Sequence, residues 1–214
     1  MSAIPPPPPN LHVLTLREEQ VDPGTLLRLA SPAKSSHYQY RRSAWYRFDS
    51  PDKSFGVLYA AFDLRTAFAE AVLRDAPRRR TVLDIPLPWN EIADRRVITL
   101  TQGAAKRPLR LAALYGPGLA AAGIDNRIST VDDYQQTRLW AKALHGHPQQ
   151  VDGLIYMSRF LGDRQSVVLF NRARSVAKVA AVMPLTAHPD FAAVLEDFSI
   201  TIEQPVGGRR LVKR

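Results

Sequence analysis

A mixed α+β fold is the prediction for this chain, and three observations carry it. Short apolar runs of strand character recur along the 214 residues. Helical periodicity gathers in two or three segments before residue 150, and strand-like runs crowd the stretch after it. Regular strand–helix alternation, which would predict a parallel sheet, is absent.

Taken in order, residues 1–10 are rich in proline and are expected to form an extended, poorly ordered leader. A short apolar-alternating stretch and a Pro23-Gly24 turn follow. Thr25 to Ala30 reads as a strand, and Ser31 to Ser43 as a polar loop. Phe55 to Phe62 is a compact apolar run with aromatics, the pattern of a buried strand. Asp63 then stands as an N-cap, with Leu64, Ala67, Phe68, Ala71 and Val72 on one helical face until Pro77 ends it.

Thr81–Leu87 and Arg96–Thr101 read as strands. Pro108 to Ala122 is rich in Leu and Ala and reads as helix, broken at Gly116-Pro117-Gly118. Ser129 or Thr130 is placed to cap a helix running to about His145, with Asp132 and Asp133 in its first turn. Gly153–Ser158, Ser166–Phe170, Ser175–Met183 and Phe198–Glu203 are strand-like, with a short helix near Asp190–Phe198. The length suits one domain, taken as residues 23–206 between a leader and entry segment over 1–22 and a basic tail over 207–214.

Composition narrows the chemistry. Without cysteine there are no disulfides, thiolate metal sites or cysteine nucleophiles. No apolar run is long enough to span a membrane, and the amino terminus lacks the features of an export signal, so a cytoplasmic location is expected. The net charge of +9 favours an anionic partner. Its clusters, Arg41-Arg42, Arg78 to Arg80, Arg95-Arg96, Lys106 to Arg110 and the tail from Arg209, fall mostly at element ends, as solvated loop charge does. His145 and His147 form the one close histidine pair, at a helix end where exposed carbonyls account for it, and no metal site is expected.

Phosphate loops, dinucleotide glycine fingerprints and nucleophile elbows are all missing. What stands out is an ordered set: Trp45-Tyr-Arg47-Phe48, then Val57-Leu-Tyr59-Ala-Ala, then Ala67-Phe-Ala-Glu70, and later Asp152-Gly-Leu-Ile-Tyr-Met-Ser158-Arg159 with Ser166-Val-Val-Leu-Phe170. This order resembles RES domains, the toxins of bacterial Xre/RES toxin–antitoxin pairs, named for an Arg, a Glu and a Ser. The likeness spans about residues 25–175. The opening departs from the family's Gly-Gly-Arg-Trp, so Arg28 is a second candidate beside Arg47; Ser166, which precedes Val-Val-Leu-Phe, is a second candidate beside Ser158.

The resemblance implies a single ADP-ribosyltransferase-like domain, two small sheets around an NAD⁺ cleft with flanking helices. It implies cleavage of the nicotinamide–ribose bond by hydrolysis, phosphorolysis or ADP-ribosyl transfer, with NAD⁺ as substrate. It also implies a cognate Xre-like antitoxin, through which any DNA contact would be indirect; an oligomer is compatible with it. Glu70 would face the oxocarbenium-like transition state. Arg47, with Arg28, would grip pyrophosphate; Tyr59 would stack on nicotinamide; Ser158 would bond a ribose or phosphate. Two rivals stand beside this reading: a catalytically silent binding module, motivated by the altered opening, and a basic nucleic-acid-binding protein, motivated by the charge.

Overall fold

The computed structural model describes residues 4–30, 38–73 and 85–203. The expected strand residues 81–84, the helix stop at Pro77, the Arg78 to Arg80 cluster and the basic tail lie outside them.

Eight strands hydrogen-bond into one sheet: β1 (Glu18–Val21), β2 (Leu27–Ala30), β3 (Val57–Ala61), β5 (Arg96–Gln102), β6 (Leu109–Leu114), β7 (Gly153–Met157), β8 (Gln165–Phe170) and β9 (Ala177–Pro184). Their spatial order is β1-β6-β7-β8-β3-β2-β5-β9, and β4 (Ile85–Pro88) pairs with β10 (Ile200–Glu203) apart from them. The join between β3 and β2 is a single pair, Leu27↔Ala61. Beyond it the strands part, so the sheet divides into a five-strand and a three-strand half. These halves stand where two sheets were expected, and the fork between them opens the principal cleft.

Local chemistry explains most elements. The Asp63 carboxylate accepts from the Thr66 N–H at 2.7 Å and caps α1 (Leu64–Phe68) as expected. The helix then widens into a π turn, Ala69–Leu73, that carries Glu70. Gly153 opens β7 because a Cβ there would stand 2.1 Å from the Val168 carbonyl oxygen. Its neighbour Asp152, almost fully buried, accepts both nitrogens of Arg107 at 2.5 and 2.9 Å and the Arg110 N–H at 2.9 Å. The Asp152-Gly153 pair therefore builds the sheet.

Three expectations are corrected. Leu109–Leu114 is strand, not helix: it lies between β1 and parallel β7, and ladder bonds with burial on both faces outweigh the small helix preference of Leu and Ala. Only α3 (Pro117–Ala122) is helical in that segment. The next helix begins later than Ser129 or Thr130: a short α4 (Arg127–Thr130) precedes α5 (Gln135–His145). The leader is anchored, since Ile4 is buried and the Trp140 indole N–H of α5 donates to the Pro5 carbonyl at 2.9 Å.

The five-strand half is covered on one face by α3 and α5, with Trp140, Leu144, Tyr156 and Phe170 in that core. On the other face it meets the second half through Leu58, Ile155 and Leu169 against Leu26, Ile98 and Leu100. A third cluster packs α1 against Val97 of β5, Ile92 of the short helix α2 (Asn90–Ala93), Leu185, and Val194 of the helix α6 (Phe191–Asp197). Among the described residues no helix is long and apolar enough to cross a membrane.

Candidate functional site

A cleft of about 160 Å³ lies at the fork. Arg28 and Leu29 of β2, Tyr59 and Ala61 of β3, and Glu70 behind α1 form its walls, with Arg41, Arg47 and Asp49 from the segment before β3 and Tyr156 and Ser166 from β7 and β8. Four expected residues, Arg28, Arg47, Tyr59 and Glu70, meet here although up to 42 positions separate them in sequence (28 to 70). The fifth, Ser158, touches Glu70 directly.

Glu70 is the carboxylate of the far wall. On a regular helix it would point away from the apolar face. In the π turn it is half-buried, and its Oε1 accepts from Ser158 Oγ at 2.6 Å and from the Arg159 N–H at 3.2 Å. Widened turns of this kind commonly aim a functional side chain. Ser158 is buried just past β7, so its hydroxyl is committed to orienting the carboxylate.

Tyr59 has its ring in the cleft wall and its hydroxyl turned inward. The hydroxyl accepts from the Phe48 N–H at 2.9 Å and donates to Asp49 Oδ1 at 3.2 Å. Burial, and then the Asp49 charge, hold this phenol well above its usual range, so it is neutral at physiological pH. The Tyr46 ring meets it edge-on, at 6.0 Å between centroids.

Asp49 is the residue that sequence reading missed. It is fully buried, and its Oδ2 accepts from Ser43 Oγ at 2.6 Å and from the Trp45 and Tyr46 N–H groups at 3.0 Å each. One carboxylate thus ties the 43–49 loop to Tyr59. A lone acid in a loop gives no periodic signal, and half of its partners are backbone groups.

The arginines divide into held and open ones. Arg47 is buried; its Nη1 donates to the Ile128 and Val131 carbonyls at 3.2 and 2.8 Å, and the guanidinium lies 4.8 Å from the Tyr134 ring centroid. Part of its hydrogen-bonding capacity is spent on holding the segment around α4. Arg28 reaches across the fork to the Tyr59 carbonyl at 3.2 Å, while its Nε is buried with no partner among the described residues. Burial first, and the Arg41 charge second, pull the Arg28 guanidinium down to about 10. Among the described residues no carboxylate pairs with Arg28, Arg41 or Arg47, so the cleft keeps a cationic wall ready for an anion. By contrast Arg95 pairs with Glu91, Arg159 with Asp132, and Arg110 with Glu18.

The histidine pair serves the fold. His145 stacks on Phe55 at 4.1 Å, and His147 Nε2 lies 3.1 Å from the Leu11 and Leu14 carbonyl oxygens.

Comparison with known proteins gives the same direction from three sides. The model of the RES domain matches residues 7–194. A probable toxin of Sinorhizobium fredii (strain NBRC 101917 / NGR234), y4kH, is 30% identical over 112 residues, which cover 52% of this chain and 87% of that protein. A chain from the crystal structure of the M. tuberculosis MbcT–MbcA toxin–antitoxin complex superposes with a TM-score of 0.56 at 16% identity, covering 87% of this chain and 91% of its own.

Proposed function

Since this chain belongs to the RES-domain family, we propose that it is the toxin of a toxin–antitoxin pair and that its cleft cleaves the nicotinamide–ribose bond of NAD⁺. The observation that carries the reading is one carboxylate, Glu70, aligned by Ser158 and the Arg159 N–H in a cleft whose Arg28, Arg41 and Arg47 have no carboxylate partner among the described residues. A dinucleotide needs that pairing: cations for the pyrophosphate, and a fixed anion where positive charge develops.

In the reaction the C–N bond to nicotinamide breaks with its electron pair leaving on the ring nitrogen. That nitrogen carries the positive charge in NAD⁺, so nicotinamide departs neutral and needs no general acid. The ribose carbon becomes oxocarbenium-like, and a nucleophile forms the new bond to it. Water would give ADP-ribose and a proton, phosphate would give ADP-ribose 1″-phosphate, and a protein side chain would become ADP-ribosylated. Glu70 acts by stabilising the cationic ribose and holding its hydroxyls. Tyr59 and Tyr46 form an aromatic wall for a planar base. Arg28 and Arg41 supply the bidentate grip on phosphate, with Arg47 holding the wall beside them.

The names of the relatives support the same assignment. One is a probable toxin and the other structure is a toxin–antitoxin complex. An antitoxin that restrains this chain follows from that reading, and a helix-turn-helix antitoxin of the Xre kind is the expected partner.

The test is nicotinamide release from NAD⁺ by the purified chain, with and without phosphate, beside Glu70→Gln. Release abolished by Glu70→Gln, in protein that keeps its melting temperature, is the expected result. Equal release from both proteins would remove Glu70 from the chemistry. A folded wild type that neither binds nor turns over NAD⁺ would overturn the substrate assignment.

A further inference from the structure

The cleft holds two buried serines in unlike states. Ser158 has its hydroxyl engaged at 2.6 Å by Glu70. Ser166 is 1% exposed, lines the cleft, and its Oγ has no hydrogen-bond partner among the described residues. A buried hydroxyl left without a partner costs stability, and an alanine would fill the same place without that cost. Among the serine and threonine hydroxyls in that state in the described residues, Ser166 is the one that lines the cleft, where a ligand can meet it.

Strand register shows what Ser166 faces. It stands opposite Ala61 on β3 and opposite Tyr156 on β7. Directly paired residues put their side chains on one face, and Tyr59, two before Ala61, shares it. The hydroxyl therefore stands among Tyr59, Ala61 and Tyr156 on the floor of the cleft. The arginines without a carboxylate partner come from other segments, Arg28 from β2 and Arg41 and Arg47 from the stretch before β3.

We propose that Ser166 is a substrate-binding residue whose hydroxyl meets an uncharged, planar, amide-bearing group on this floor, the carboxamide of nicotinamide, while the arginines take the phosphates. The assignment rests on the NAD⁺ reading above and deepens it. A hydroxyl both donates and accepts, as a carboxamide does, so one bond in either sense satisfies both groups. Ser158 by contrast is a positioning residue acting through Glu70.

The experiment uses the full chain carrying Glu70→Gln, so that ligands are not turned over, with and without Ser166→Ala. Titration calorimetry gives affinities for nicotinamide and for ADP-ribose, and a thermal melt gives stability. Nicotinamide affinity should fall by about 5- to 10-fold, the loss of one neutral hydrogen bond. ADP-ribose affinity should stay within about twofold, and the melting temperature should hold or rise. Unchanged nicotinamide affinity with ADP-ribose still bound would overturn the Ser166 assignment and leave the NAD⁺ reading standing. Loss of ADP-ribose affinity equal to that of nicotinamide would overturn it too, by making Ser166 a general support of the cleft. A lower melting temperature would refute the unpaired state of the hydroxyl on which the proposal is built. A parent protein that binds neither ligand would overturn both readings together.

Discussion

Asp49→Asn isolates the charge that organises the cleft wall. The change keeps shape and volume, and replaces a carboxylate accepting four hydrogen bonds, from Ser43, Trp45, Tyr46 and Tyr59, with a neutral amide. A bond to a charged acceptor contributes about 1.5–3 kcal/mol and a neutral one about 1 kcal/mol. Three contacts converge on Oδ2, so the amide oxygen takes that place and its NH₂ faces the Tyr59 hydroxyl. That hydroxyl already accepts from the Phe48 N–H, and its own proton loses its acceptor. Four weakened or lost bonds sum to several kcal/mol. Burying an amide costs less than burying a carboxylate, which offsets part of this and leaves about 2–3 kcal/mol of destabilisation. For a chain of this size that lowers the melting temperature by about 4–12 °C. Circular dichroism melts at neutral pH measure it. An Asn variant melting within about 2 °C of wild type would refute the argument that the negative charge, rather than the shape, holds the loop. Nicotinamide release should fall in parallel, since the loop carries Arg47 and braces Tyr59.

Two further predictions use the same reasoning. Burial, followed by the Arg172 charge, lowers the His145 imidazole to about 4 from its usual value near 6.5. The unfolded chain then takes up its proton before the folded one does, so stability present above about pH 6.5 is lost as pH falls toward 4; urea midpoints across that range should show the loss flattened in His145→Phe, and parallel slopes would refute it. Removing residues 1–9 exposes the site of Ile4 and strips the acceptor from the Trp140 indole. Together these cost about 3–5 kcal/mol, and a truncated chain melting within about 3 °C of the full one would show the segment to be dispensable.

The sequence made much of the site legible because its pieces are local patterns. Tyr59 sits in an apolar run bounded by turn residues, Glu70 follows a capped helix, and Ser158 closes the Asp152-Gly153 strand. What escaped it depends on non-local partners. Leu109–Leu114 is built from residues content in a helix, and only β1 and β7 on either side make it a strand. At a spacing of 3.6 residues Glu70 would fall off the apolar face of its helix, and the widened turn, which breaks that spacing, brings it to the cleft. A proline-rich start looked like a tether because nothing in it announces the pocket that Ile4 fills. Asp49 was invisible for the reason that makes it important: its partners are two main-chain N–H groups, the Ser43 hydroxyl and a tyrosine ten residues away.

The π turn at Ala69–Leu73 has a consequence for changes in chain length. Such a turn is an α-helix carrying one extra residue. Deleting one residue there would restore regular i→i+4 bonding, the commoner geometry, and would close the widened turn on which Glu70 sits. Ala67, Glu70 and Ala71, which now line one wall, would no longer do so together. Regular helix bonding alone would favour the shorter turn, and the contact between Glu70 and Ser158 depends on the longer one.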